Sequence, residues 1–224
     1  MEIAPNVHLI PNITANPYLL IDPDGLTLID AGLPGSQKKI LAYMASLGFK
    51  PGDLKRILIT HADFDHVGGL AAIRAASGAR VYTSRIEAAA IAAGKPSRAA
   101  RPQNPLLRIL MGAMSSIARA ATLQVDEIVC DGQVLPLLGG LTVLETPGHT
   151  PGHLSFFAPG PGVLFCGDSL VVGKDGLEAA RPGLTWDRAS ADASVRRQAA
   201  LGAATVCSGH GPVVTQAQDK FPQV

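Results

Sequence analysis

A chain of 224 residues has the length of one domain, or one domain with an insertion, and can bury a sizeable core. Apolar residues make up 47% and aromatics only 4%, so that core must be built from Leu, Val, Ile and Ala. Lys and Arg total 19 against 18 Asp and Glu, which leaves no electrostatic footprint for nucleic acid or for an anionic membrane. The longest basic group, Arg196-Arg197, reads as a solvated helix face. Cys130, Cys166 and Cys207 are odd in number, widely spaced and without a C-x-x-C pair, which suits reduced thiols in a cytosolic protein. The N-terminal residues show no cationic segment leading into an apolar run, and no stretch of about 18 apolar residues occurs. Neither a signal peptide nor a membrane span is expected, and the location read from this is cytoplasmic.

In chain order, Val7 to Ile10, Tyr18 to Ile21 and Leu26 to Ile29 read as short strands. Asp22-Pro23-Asp24-Gly25 makes the turn between the last two, with Pro presetting φ and Gly accepting a positive one. Asp30-Ala31-Gly32 closes the third strand. Asp30 reads as a strand-end turn residue or as a carboxylate beside a site, the plainer reading favoured on its own. Ser36 to Leu47 is an amphipathic helix stopped by Gly48. Ile57-Leu58-Ile59 is a buried strand, Leu70 to Ala76 a helix ended by Gly78, and Arg80 to Thr83 another strand. Residues 84–125 form a helical insertion, with helices expected over about 84–93 and 105–121 around a Pro- and Arg-rich loop. The apolar face of 105–121 suits a lid, a core contact or a second subunit equally. From 127 the chain returns to strands at 127–129, 133–137, 141–145, 153–157 and 163–165. Residues 171–186 read as a loop, 189–201 as a helix and 205–207 as a last core strand.

The stretch that organises this pattern is Thr60-His61-Ala62-Asp63-Phe64-Asp65-His66-Val67-Gly68-Gly69. It follows a strand and opens a helix, at the carboxyl end of a strand, where sites in sheet-and-helix proteins lie. Its two glycines let the new helix start close against whatever the loop encloses. Of six histidines, His8 sits in an N-terminal strand. The other five, His61, His66, His149, His153 and His210, all stand beside Gly, Pro, Asp or Thr at expected strand ends. Any one alone would be an ordinary structural histidine; five placed alike, with Asp168 on a further strand-end loop, suit a two-metal hydrolytic site. Neutral imidazole binds zinc well and a carboxylate can bridge two cations. Two ions about 3.5–4 Å apart can share and activate one water.

His61-x-Asp63-x-Asp65-His66 with Gly68-Gly69, Thr146-Pro147-Gly148-His149-Thr150, Gly167-Asp168 and Gly209-His210-Gly211-Pro212 resemble the ordered motifs of the metallo-β-lactamase superfamily. Asp30-Ala31-Gly32 falls where that family has a short acidic motif. The resemblance runs from about residue 7 to 215. It implies a single α/β domain over 1–224 folded as a four-layer αβ/βα sandwich, two mixed sheets flanked by helices. It further implies that His61 and His149 bind one metal, that Asp65, His66 and His210 bind a second, and that Asp168 bridges them. The nucleophile would be a bridging hydroxide, and Asp65 or metal-bound water would protonate the leaving group. The cofactors implied are two divalent ions, zinc foremost, with manganese or iron as alternatives.

The family reads H-x-H-x-D-H, and Asp63 stands here for its second histidine. At i+2 from His61 it points the same way if the loop is extended, and is expected to coordinate. An anionic oxygen ligand shifts the first site toward harder ions such as manganese or iron. Crowding Asp63, Asp65 and Asp168 together without metal is expected to raise the pKa of one or more of them. If Asp63 did not bind, the first site would be depleted.

The activity expected is hydrolysis of a small ester, lactone, thioester or amide. One alternative is an iron-dependent oxidoreductase of the persulfide dioxygenase kind; another is a degenerate, non-catalytic member of the fold. The family's glyoxalase II-like enzymes carry a C-terminal helical domain that this sequence does not show, and its exported β-lactamases carry signal peptides. His153 is expected to orient His149 or a neighbouring carboxylate, or to be a partly exposed strand residue. Thr60, Thr150 and Ser208 offer hydroxyls beside the ligands, and Cys166 reads as core. Arg85, Lys174 and Arg181 are candidate anchors for a substrate anion, though each reads more simply as a surface charge. The partner expected is a small-molecule substrate, with no nucleic acid and no membrane, for a monomer or homodimer.

Overall fold

The computed structural model describes residues 1–98, 122–174, 176–180 and 182–224. The helix expected over 105–121, with its lid or dimer role, lies outside them. Among the described residues seven strands form the first sheet in sequence order: β1 (Glu2–Ala4), β2 (Val7–Leu9), β3 (Tyr18–Asp22), β4 (Gly25–Ile29), β5 (Leu54–Leu58), β6 (Arg80–Thr83) and β7 (Glu127–Ile128). Its first half is antiparallel, and from β4 to β7 it is parallel. The second sheet holds β8 (Val134–Leu135), β9 (Leu141–Glu145), β10 (Leu154–Ala158), β11 (Val163–Gly167), β14 (Thr205–Ser208) and β15 (Val214–Thr215), with β11 and β14 its parallel pair.

Each central strand is apolar on both faces, because each sheet is covered on both. Leu20, Ile29 and Leu58 meet Leu141, Val143, Leu154, Phe156, Phe165 and Cys207 in the core between the sheets. Their chain neighbours Leu19, Leu28 and Ile57 point outward, against Ile40 and Met44 of α1 (Ser36–Ser46) and Leu70 and Ile73 of α3 (Leu70–Ser77). On the far side Leu164, Cys166 and Val206 pack against Val195 of α5 (Arg188–Ala199). One apolar strand serving two cores is the period-2 geometry of a strand read twice. Helix, sheet, sheet and helix make the four layers expected.

Two regions differ from the sequence reading. Residues 171–186, expected as a loop, contain a hairpin of β12 (Leu170–Val172) and β13 (Leu177–Ala179) and a 3-10 turn at Pro182–Leu184. A two-stranded ribbon is marginal alone; this one is held by Leu170 and Leu177, which sit in the α5-side core. The glycines flanking such short apolar runs hid it. The edge strands β1 and β15 were also unexpected, being too short to show periodicity. Helix α4 (Arg85–Ala93) stands where a helix was expected, with the Ser84 hydroxyl accepting from the Glu87 amide as its cap. Among the described residues no helix is long and apolar enough to cross a membrane.

Candidate metal centre

The carboxyl ends of β4, β5, β9, β11 and β14 converge on one edge of the sandwich. After β5 the chain stays extended through Asp63 (φ −67°, ψ 146°) and then winds into the short helix α2 (Phe64–Val67). The extended run brings His61 and Asp63 to the same side, His61 Nε2 lying 3.7 Å from Asp63 Oδ2. The helical turn places Asp65 and His66 beyond them. The glycine pair then works as a close approach: a Cβ on Gly69 would strike the Ala31 carbonyl, and one on Gly68 the Pro34 ring. What the new helix packs against is therefore the loop carrying Asp30. Opposite, a Cβ on Gly209 would collide with Asp168 and His66, so only glycine lets β14 deliver His210 to the same point.

Three overlapping groups of donors result among the described residues: His61, Asp63 and His149; Asp65, His66 and His210; and His61, His66 and Asp168, which spans the first two. In each, one ligand atom per residue lies within 4.8 Å of the rest. Asp168 joins them. Its Oδ1 is 3.3 Å from His66 Nε2, and its Oδ2 is 3.6 Å from His149 Nε2 and 3.4 Å from His210 Nε2. The structure brings together all seven residues singled out in the sequence.

His61 Nε2, His66 Nε2 and Asp168 Oδ1 are buried and make no hydrogen bond among the described residues, the last two standing 3.3 Å apart. Buried polar atoms are almost always satisfied. Three orphans aimed at a shared space, among imidazole and carboxylate donors, fit divalent metal ions.

Behind His61, His66 and Asp168 the supporting atoms are satisfied, whereas His149 Nδ1 is buried with no hydrogen-bond partner among the described residues. Asp30 accepts from the Thr60 amide (2.9 Å) and hydroxyl (2.8 Å), and its Oδ2 lies 2.8 Å from His66 Nδ1. It is thus the carboxylate beside a site, not the plain turn residue, and its positive φ of 59° is part of how the loop turns it inward. The Thr60 hydroxyl also reaches His61 Nδ1 at 3.0 Å. His153 is fully buried, which overturns the partly exposed alternative. It does not orient His149; its Nε2 accepts from the Asp168 amide (3.1 Å), while Nδ1 meets Thr146 Oγ1 (2.9 Å). The Thr150 hydroxyl turns to Glu87, and the Ser208 hydroxyl to the His210 carbonyl. Cys166 is buried core, as expected, and burial pushes its thiol pKa up.

The expectation of a raised carboxylate pKa in the cluster is wrong. Burial pushes each upward, but His149 and Arg98 hold Asp63 below its ordinary value, His210 and His66 do the same for Asp65, and His66 and His210 hold Asp168 well below. The histidines divide. Burial and the neighbouring His66 and His149 keep His61 neutral. His66, although buried, is held well above the imidazole range by Asp168 and Asp30. His210 is raised to about 9 by its contacts with Asp168 and Asp65, and His153 is lowered by burial to about 3.

Two residues escaped the sequence reading. Glu87 of α4 is fully buried and accepts from the Ala62 amide (2.9 Å), the Gly152 amide (3.1 Å), the Thr150 hydroxyl (2.7 Å) and the Ser97 hydroxyl (2.8 Å). It ties together the loops of His61, His149 and Arg98; burial raises its pKa against those donors. Its sequence signal was the Ser84-x-x-Glu87 spacing, which marks a helix start and nothing more. Arg98, inside the Arg-rich loop, enters the centre itself, its guanidinium 2.5 Å from Asp63 Oδ2. Of the arginine and lysine candidates named from sequence, Arg85 and Lys174 are exposed and Arg181 lies outside the described residues.

The family model of the metallo-beta-lactamase superfamily matches residues 11–210. The chain belongs to that superfamily. Its members bind divalent metals and include hydrolases. A probable metallo-hydrolase, YflN of Bacillus subtilis, is 29% identical over 96% of this superfamily member and 87% of its own length. The hydroxyacylglutathione hydrolase of Cereibacter sphaeroides is 36% identical over 80% of this chain, which spans 56% of that enzyme's length. Among solved structures, a Cronobacter sakazakii metallo-beta-lactamase with a HARLDQ motif superposes with a TM-score of 0.73 at 27% identity, covering 94% of this chain and 77% of the other.

Proposed function

We propose that this superfamily member is a dinuclear metal-dependent hydrolase of small acyl substrates, with thioesters first, then lactones and esters. The observation that carries the reading is the convergence of seven imidazole and carboxylate donors on three orphaned buried atoms. Identity to a hydroxyacylglutathione hydrolase supports the thioester choice. His61, Asp63 and His149 would hold one ion, Asp65, His66 and His210 the other, with Asp168 shared.

Divalent ions held by these residues would lower the pKa of water and polarise the carbonyl under attack. The chain's own residues supply the rest. Asp168, with one oxygen toward His66 and the other toward His149 and His210, keeps the two halves at a fixed separation. His153 holds the Asp168 backbone, and Asp30 holds the His66 ring so that Nε2 faces inward. Asp65, more exposed than Asp168, would take a proton from the attacking water. One C–O bond to water forms, the C–S or C–O bond to the leaving group breaks, and that proton passes from Asp65 to the departing thiolate or alkoxide.

The test is elemental analysis of wild type and Asp63→Ala purified alike, followed by assay of zinc- and manganese-loaded protein on acyl thioesters, lactones and esters. About two metals in wild type, falling toward one in the variant, with thioester turnover, is the expected result. No turnover of any acyl class with either metal would sink the hydrolase reading. A single iron with oxygen uptake on a persulfide would replace it with the dioxygenase.

A further inference from the structure

We propose that Arg98 is a resident cation of the His61–Asp63–His149 half of the centre, holding the ligand atoms that a metal there would use, so that this half fills second and more weakly. The inference rests on the metal-centre reading above and concerns the order and affinity of filling.

The guanidinium reaches two of that half's three donors through one nitrogen, 2.5 Å from Asp63 Oδ2 and 3.3 Å from His149 Nε2. Those atoms, with His61 Nε2, are the ones that converge as a possible metal site. The Arg98 side chain is only 10% exposed, so the pair is largely withdrawn from water and poorly screened. Its Nε is buried and makes no hydrogen bond among the described residues, so Arg98 is held chiefly by the donors it covers.

The other half differs in kind. Asp65 pairs with His210, and Asp168 with His66, His149 and His210; among the described residues neither meets an arginine or lysine. A histidine can give up its proton to make room for a metal. An arginine cannot, because its guanidinium stays charged at every accessible pH. An ion entering the first half must therefore break the Arg98–Asp63 pair and move the guanidinium away, and among the described residues no such fixed cation stands in the second half. A charge-assisted hydrogen bond is worth a factor of about 10–100 in an equilibrium constant, which sets the expected gap.

The experiment is calorimetric titration of the metal-free full chain with zinc chloride at fixed pH, on wild type, Arg98→Ala, Arg98→Gln and Arg98→Lys, with elemental analysis after dialysis. Wild type should fill in two resolved steps. In Arg98→Ala and Arg98→Gln the weaker step should tighten about 10–100-fold with the stronger step unchanged, while Arg98→Lys stays near wild type. An unchanged or weakened second step in both neutral variants overturns the proposal and leaves the metal centre standing. Two steps of equal affinity in wild type overturn it as well. No metal uptake by any of the four proteins sinks the metal-centre reading together with this one. A second measurement needs no variant: phenylglyoxal modification of Arg98 in wild type, followed by mass spectrometry, should increase when two zinc ions are loaded. Equal modification with and without zinc overturns the proposal.

Discussion

The two halves of the centre are backed by different buried carboxylates, and the contrast shows how one fold gives two sites unequal character. Behind Asp65, His66 and His210 stands Asp30, which accepts from Thr60 and contacts His66 directly. It acts on a donor ring by charge, and with Asp168 it pushes the His66 pKa upward against burial. Behind His61, Asp63 and His149 stands Glu87, whose hydrogen bonds among the described residues go to backbone amides and hydroxyls. It receives the Ala62 and Gly152 amides, and so sets the backbone of two ligand loops. One half is tuned electrostatically and the other held mechanically. A group that tunes charge shows itself in pH dependence, whereas a group that holds backbone shows itself in stability.

The largest expected effect removes the contrast altogether. Asp168→Ala takes away the carboxylate that faces both halves, so dialysed protein should retain neither metal, and hydrolysis should fall by more than about 100-fold, beyond the loss typical of groups that only support a ligand. Retention of one metal, measured by elemental analysis, would show that Asp168 serves a single half.

The contrast sharpens with pH. The ion pairs of His210 and His66 stabilise the metal-free protein below the ordinary imidazole pKa, and for His210 that contribution is lost as pH rises through about 9. Metal must expel those protons. Zinc affinity of the second half should therefore rise between pH 6.5 and 9, by up to about tenfold per unit for each proton released. His61, already neutral, adds no such slope to the first half. Zinc titrations across this range check it; parallel slopes for both steps would erase the distinction.

Asp30→Asn keeps the shape but removes the charge beside His66. It should weaken the second half by about 10–100-fold and leave the first largely intact. Comparable weakening of both steps would make Asp30 a support of the whole loop instead.

The smallest effect on metal and the clearest on stability belongs to Glu87. Glu87→Ala leaves buried amide donors unpaired and should cost roughly 3 kcal/mol, a drop of about 6–12 °C in Tm. Ser97→Ala removes only one of its four donors and should cost about 1 kcal/mol. Thermal unfolding of the metal-free proteins measures both. If Glu87→Ala melted like wild type, the mechanical account of that half would fail.

Much of this was legible in the chain. The seven candidate donors could be named because the short strand-end motifs that carry them resemble those of the metallo-β-lactamase superfamily. Asp63 lies beside His61 because the segment between them is extended, as an i+2 spacing requires. The paired apolar faces of Leu19/Leu20 and Leu28/Ile29 declared strands covered on both sides. Glu87 and Arg98 were not legible as parts of the centre. Each is an ordinary charged residue in its local context, one at a helix start and the other in an Arg-rich loop, and neither has a spacing that points to the donors. The three-carboxylate argument failed for a related reason. It counted like charges along the motif, and the neutralising groups, His149, His210 and Arg98, come from elsewhere in the chain.

By itself, then, the sequence carried in its short motifs the resemblance to the family, and through that resemblance the expected layered fold and the candidate donors, since motifs of this kind are a matter of residue type and local order. Only the tertiary structure decided which buried carboxylate backs which half, which way burial and neighbouring charges push each histidine, and which cation sits on Asp63. Those properties depend on distances between loops that lie tens of residues apart in sequence, and on the burial that makes such distances matter.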